Sequence, residues 1–227
     1  MNGGNVEAEI RENVIKKGTH LAANVLEVSA QDISFKNGIF LVDGTDRKID
    51  LFELAAIGER DGASLSTYNV WERQAMTFPN GAHAVELEVD SETGKVRLHR
   101  YLVVDDYGVI VNPLLVRGQV HGAIANGIGQ ALLEQVKFDP QTGQPLTGSF
   151  MDYAVPRADN FPLFKTAFDS TICTTNPLGV KGCGEAGTIA APSAVANAIV
   201  DALKKFGVTH VDGPATPEKI WNLIKFT

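Results

Sequence analysis

Apolar positions Ile10, Val14, Leu21 and Val25 recur at helical spacing along residues 7–26, with Arg11, Glu12, Lys16 and Lys17 between them, which predicts an amphipathic helix. Ile33-Ser34-Phe35 and residues 39–42 flank Lys36-Asn37-Gly38, and Asn-Gly readily takes the positive dihedrals of a tight turn, so a short hairpin is expected. Asp50 has the character of an N-cap for a brief helix through Leu51, Leu54 and Ala55, and residues 58–66 read as loop. Alternation is cleanest at residues 84–89, where Val85, Leu87 and Val89 alternate with Ala84, Glu86 and Glu88, predicting a strand with one buried and one wet face. Asp90-Ser91-Glu92-Thr93-Gly94-Lys95 supplies turn chemistry before a second strand over residues 96–104, antiparallel to the first.

Asn112-Pro113 marks a helix start, with Asn as N-cap and Pro where its missing N–H costs nothing. Val116, Val120, Ile124, Ile128 and Leu132 then repeat every four residues. Gly118, Gly122, Gly127 and Gly129 inside this helix are each unfavourable by roughly 1 kcal/mol relative to Ala. Something must approach the backbone there, either a ligand or a neighbouring helix or strand. Residues 138–147 suit a second hairpin or an irregular crossing, and residues 174–188 are rich in Gly, Pro and Thr. Pro192 is expected to begin the final strong helix, with Val195, Ala198, Ile199, Ala202 and Leu203 inward and Lys204, Lys205 and Gly207 at its end. The pattern is that of an α+β fold, antiparallel hairpins and sheets packed with two glycine-seated helices. With no repeat or linker in view, residues 1–227 read as one (sub)domain, in which a helix-plus-hairpin lead-in over 1–66 precedes a core over 67–227.

A chain of 227 residues with 44% hydrophobic and 21% charged positions has the make-up of an ordinary globular protein. A formal charge of -7 argues against general nucleic-acid binding, which needs a basic face, and favours a small-molecule substrate or protein partners. Cys173 and Cys183 lie ten residues apart without a C-x-x-C pair, so the chain has no zinc or iron–sulfur ligand set of its own, and a disulfide between them is the weaker reading. The opening MNGGNVEAEIREN lacks the layout of a signal peptide, and no run of 18 apolar residues occurs, so no membrane span and a cytoplasmic address are expected.

The chemistry concentrates in Lys181-Gly182-Cys183-Gly184-Glu185-Ala186-Gly187-Thr188, a glycine-spaced loop leading into a helix. Bare backbone before a helix N-terminus suits polar or anionic ligand atoms, so phosphate cradling is one reading, although neither nucleotide-binding glycine pattern is matched. Glu185 is a poor neighbour for phosphate but a good general base beside a metal-bound hydroxyl. Its small, apolar sequence neighbours suggest partial burial, which would raise its proton affinity. A Glu favourably placed at a helix start is the equally weighted structural reading. His121 has no second ligand at useful spacing and reads as a packing or surface histidine, with no metal site of the chain's own.

KGCGEAGTIAAPSAVANAIVDAL resembles the signature near the C-terminus of the xanthine dehydrogenase and aldehyde oxidase family of molybdenum hydroxylases, especially bacterial carbon monoxide dehydrogenase-like large chains. GAHAVELEVDSETGKVRLHRYLVVDDYGVIVNP, LLVRGQVHGAIANGIGQALLEQV, GSFMDYAVPRAD and TNPLGVKG resemble successive family blocks in order, covering residues 80–225 closely and the first 60 more loosely. The resemblance implies the second molybdopterin-binding subdomain of the large subunit, with the core over 67–227 facing the cofactor. It implies that Glu185 deprotonates a molybdenum-bound hydroxyl, and that Asn126, Gly127, Lys181, Gly182, Cys183, Gly184 and Gly187 bind the cofactor, molybdopterin cytosine dinucleotide in form. It further implies a missing N-terminal half that completes the site, an Fe–S subunit, a FAD subunit and an isolated chain without activity; pairing with a second copy is a further option. The family's usual residue at Asn126 is Gln, so a direct contact would be lengthened or bridged by water. Gln119 and Gln130 are expected on other faces of the helix than Asn126. Two other classes stay open: a non-catalytic assembly or scaffold half-subunit, and a stand-alone phosphate- or nucleotide-binding module.

Overall fold

The computed structural model describes residues 2–72 and 75–226, which separate into two compact units. The first unit comprises the residues up to Ala75 with Asn176–Leu178. Helix α1 (Asn2–Val25) starts five residues before the expected helix, and Leu21 and Ala22 are buried while Val25, expected on the apolar face, is exposed. Strands β1 (Ile33–Lys36), β2 (Ile39–Val42) and β3 (Lys48–Asp50) form an antiparallel sheet in that order. Asn37 and Gly38, at φ of 51° and 80°, make the β1–β2 turn. Asp50 caps helix α2 (Leu51–Arg60) by accepting hydrogen bonds from the N–H groups of Phe52 and Glu53. The helix therefore runs into the stretch read as loop from residue 58. Phe40, Ile49, Leu54 and Leu65 close the core of this unit over Leu21 and Ala22.

The second unit, Met76–Thr175 with the residues from Gly179 onward, carries the candidate site. Strands β4 (Asn80–Val89) and β5 (Val96–Asp106) pair antiparallel, each longer than the alternation alone marks. The pairing slips between Glu86 and Leu87, which oppose Arg100 and Leu98, leaving His99 without an opposite residue. That bulge resets the pleat, so Leu98 and Tyr101, three residues apart, are both buried, followed by Val103 and Asp105. Strand β6 (Phe164–Phe168), which the sequence reading passes over, pairs parallel with β5, so the sheet is not purely antiparallel. Residues 138–147 contain only an isolated bridge between Phe138 and Pro145 around an Asp139 turn.

Helix α3 (Pro113–Leu132) begins as expected: the Asn112 side-chain oxygen accepts from the N–H groups of Leu114 and Leu115. Helix α4 spans Ala186–Leu203. Pro192 therefore lies inside it instead of starting it, because the first turn forms from Glu185, whose carbonyl accepts from Thr188 and Ile189. Pro192 offers no N–H to the Thr188 carbonyl four residues back. A 3-10 turn at Lys204–Phe206 and Gly207 at φ 81° end the run. The 21 residues Ala186–Phe206 are apolar enough by length and composition to cross a membrane, yet Ala191, Val195, Ile199 and Leu203 sit in the core as a packing stripe at i, i+4 spacing. A further helix, α5 (Pro217–Phe226), follows with Ile220 in the same core. Tyr101, Val103 and Tyr107 from the sheet side meet Val120, Ile124 and Ile128 of α3 and the α4 stripe.

Candidate functional site

Two glycines govern the α3–α4 contact. A Cβ on Gly127 would lie 2.7 Å from Ala191 Cβ and 3.0 Å from both Pro192 Cδ and the Thr188 carbonyl oxygen, the carbonyl that Pro192 leaves without its helical donor. A Cβ on Gly187 would lie 2.8 Å from Ala123 Cβ, 2.9 Å from the Val120 carbonyl oxygen and 3.1 Å from Ile124 N. Each helix thus contributes the glycine that the other needs, and Thr188 Oγ1 seals the seam by donating to the Ala123 carbonyl at 2.9 Å. Gly127 and Gly187, expected at the cofactor, are buried here as helix-to-helix seats.

The outer face of α3 is different. Gly118, Gly122, Asn126 and Gln130 form an exposed stripe at i, i+4 spacing, and nothing lies within 4 Å of where a Cβ on Gly118 or Gly122 would be. Gln130 Nε2 donates to Asn126 Oδ1 at 3.2 Å, so these two amides share a face, contrary to the expectation that Gln130 lies elsewhere; four residues is one helical turn. Gln130 also lines a cavity of about 370 Å³ with Pro192, Ser193 and Ala196 of α4. A larger cavity of about 610 Å³, lined by Leu98, Ile128, Leu132 and Phe161 among others, contains none of the expected site residues. His121 packs edge-on to Phe164 at 5.5 Å, as a packing histidine would, with Nε2 buried and unpartnered among the described residues.

The loop before α4 is anchored at its start and open at its middle. Val109 N donates to the Gly179 carbonyl and Lys181 N to the Tyr107 carbonyl, a short antiparallel bridge against the residues that follow β5. Lys181, expected to bind cofactor, turns its ammonium to Asp106 Oδ2 at 2.5 Å, with the two side chains 11% and 9% exposed. Asp106 Oδ1 accepts from Gly108 N at 2.8 Å and Thr171 N at 3.1 Å. Burial alone would raise the pKa of this carboxyl, but Lys181 and the two backbone donors outweigh it and hold the pKa at about 2. Gly182 and Gly184 have open space where a side chain would go, and Cys183 between them is half-buried against the core. Cys173 and Cys183 form no disulfide. Glu185 occupies the N-cap position of α4, and its side chain makes no capping hydrogen bond. The carboxylate expected to be partly buried is instead exposed, because Gly184 before it brings no neighbour and Glu185 heads the exposed α4 stripe of Ile189, Ser193 and Asn197.

Missed by the sequence reading is a polar group inside the sheet: His83, Tyr101, Asp105 and Tyr107. Its one sequence signal is the pair of acidic residues, Asp105-Asp106, at the end of an otherwise apolar strand.

A half-bare helix face, a glycine loop with open positions and one exposed carboxylate at a helix head are the candidate features of this unit, and known proteins show the family that carries them. A molybdopterin cofactor-binding domain model matches residues 2–162, and the chain belongs to that family. It is 40% identical over 220 residues to the 6-hydroxypseudooxynicotine dehydrogenase complex subunit gamma of Paenarthrobacter nicotinovorans, covering 92% of this chain and 27% of that protein. Among solved structures it resembles the Cu,Mo-CO dehydrogenase with a TM-score of 0.87 at 28% identity, covering 97% of this chain and 28% of that one. Quinoline 2-oxidoreductase from Pseudomonas putida 86 gives 0.82 at 33%, covering 96% and 28%. The chain therefore spans about a quarter of the length of the relatives it matches.

The residues present fit such a cofactor. The open positions at Gly118, Gly122, Gly182 and Gly184 leave backbone that a planar ligand could reach, and Asn126 and Gln130 offer amide donors and acceptors on the same helix stripe as Gly118 and Gly122. Among the described residues no three His, Cys, Asp or Glu side chains converge. A metal that arrives with a cofactor's own sulfur ligands asks the protein for polar contacts and close approach, which this surface supplies.

Proposed function

We propose that this chain forms one wall of the cofactor site in the large subunit of a cytoplasmic molybdenum hydroxylase, and that Glu185 is its base. When bound, the molybdenum cofactor supplies the two-electron redox chemistry. Glu185 takes the proton from a water-derived oxygen as that oxygen attacks an electron-poor carbon of a small substrate: carbon monoxide, an aldehyde or an N-heterocycle. Asn126, Gly182, Cys183 and Gly184 contact the cofactor, a molybdopterin cytosine dinucleotide, while Gly127, Gly187 and Lys181 serve the site from behind by holding α3, α4 and the loop. An N-terminal half completes the pocket, and Fe–S and FAD subunits remove the electrons. The near-complete exposure of Phe150, Met151 and Leu163 supports docking of protein partners.

The carrying observation is the position of Glu185: exposed, uncapped, and between a loop anchored on Asp106 and a helix seated on α3. Glu185→Gln in the assembled enzyme should lower kcat by roughly 100- to 10,000-fold at unchanged molybdenum content. An unchanged kcat would leave the chain as a scaffold, and tight nucleotide binding by the protein without its partners would favour the phosphate-binding reading.

A further inference from the structure

The head of α4 is fixed on one side only by helix packing. Downstream of Glu185, Gly187 and Thr188 are locked to α3. Upstream, Gly182 and Gly184 have no neighbours at their Cβ positions, so the backbone between Lys181 and Glu185 gains little restraint from packing at those two residues. Cys183 between them packs against the core, and the last polar hold before Glu185 is Lys181, whose partner is Asp106. Asp106 does more than pair a charge. Its two oxygens collect the end of β5 through Gly108 N, the segment after β6 through Thr171 N, and the loop through Lys181 Nζ. One buried carboxylate thereby references the loop to two of the three strands of the sheet, β5 and β6. An ion pair with further hydrogen bonds on the acid is the geometry in which a buried pair holds its place, since loss of either member leaves an uncompensated charge.

We infer that Asp106 is a positioning residue: acting through Lys181, it fixes the segment that presents Glu185. This rests on the reading of Glu185 as base, and the test separates the two. Asp106→Asn keeps the oxygen that both backbone donors share but presents no anion to Lys181; Lys181→Met leaves both backbone contacts of Asp106 intact and so covers the case in which Asp106→Asn fails to fold.

In the holoenzyme containing this chain, amide hydrogen exchange over residues 182–187 should quicken in either variant, while exchange in the buried part of α3 stays as in the parent. Turnover per bound molybdenum should fall by about 100-fold, the cost of misplacing a reacting group by about an ångström, with KM near that of the parent. The double variant should be no worse than the more damaged single one, because both remove the same coupling. Unchanged exchange across residues 182–187 overturns the inference, as does full turnover in both variants when Glu185→Gln is inactive. If Glu185→Gln itself retains kcat, the base reading fails, and the exchange measurement alone decides whether Asp106 fixes the segment.

Discussion

His83 Nδ1 on β4 lies 2.6 Å from the Tyr101 hydroxyl on β5, in a sheet interior where the His83 side chain is 2% exposed. Nε2 of the same ring faces Asp105 Oδ1 at 3.5 Å, and Tyr107 donates its hydroxyl to the other Asp105 oxygen. Four polar side chains thus satisfy one another where unpaired groups would be costly. Burial first, and then Asp105, through its charge at Tyr101 and its hydrogen bond and charge at Tyr107, push both phenols well above their ordinary pKa. Tyr107→Phe, which deprives a buried carboxylate of its donor, should cost about 1.5–3 kcal/mol in urea denaturation. In a spectrophotometric titration of the folded protein, Tyr101 and Tyr107 should stay protonated beyond the normal phenol range.

The two seam glycines should be intolerant and the outer ones permissive. Gly127→Ala or Gly187→Ala places a Cβ within 3 Å of a methyl group on the facing helix and should destabilise by about 1–3 kcal/mol. Gly122→Ala meets nothing and should stabilise α3 by about 0.5–1 kcal/mol, while lowering molybdenum retention in the assembled enzyme if a ligand lies there. Thermal unfolding beside metal analysis reads both.

The Asp106–Lys181 clamp should be insensitive to pH until strongly acid conditions. The carboxyl titrates at about 2 in the folded protein against an ordinary 3.8. Because the folded value is the lower one, the stabilisation is complete above about pH 4 and fades as pH falls through about 2. A shift of that size corresponds to about 2 kcal/mol at neutral pH. The stability difference between the parent and Lys181→Met should narrow as pH falls toward about 2, because the carboxyl that has lost its ammonium takes up a proton at higher pH than that of the parent.

Asn126→Ala should separate binding from folding. The side chain is exposed and its hydrogen bond to Gln130 is an i, i+4 surface pair, so the stability change should stay within about 0.5 kcal/mol. Loss of cofactor from the purified enzyme at unchanged unfolding temperature would be the signature of a direct contact.

The elements that sequence patterns reveal here are those whose signals are local. Asn37-Gly38, Asp50 and Asn112 each act within four residues of themselves, and the turn and both caps form where they indicate. Pro192 misleads because proline suits a first helical turn; α4 tolerates it inside because the glycine seam on α3 accommodates the carbonyl it strands. Thr216-Pro217 carries the same kind of start signal for α5, with Thr216 Oγ1 accepting from Lys219 N, but is obscured by the basic run and Gly207 that close α4.

Strand β6 depends on pairing with residues some sixty positions earlier, and Asp106 meets Lys181 across 75. Neither partner announces the other in one chain. For the site, the glycine-spaced loop and Glu185 stand out as a pattern. What the pattern hides is the division of labour among its glycines, since open and seated positions look alike until a neighbour is in place.

The reciprocal seats at Gly127 and Gly187 act like the teeth of a single gear pair. Shifting α4 along α3 by one residue would bring Ala186 or Thr188 to the place of Gly187 and drive a side chain into the Val120 carbonyl. The seam therefore resists sliding of these helices, whereas Gly182 and Gly184, just ahead of α4, have no such seat to hold them.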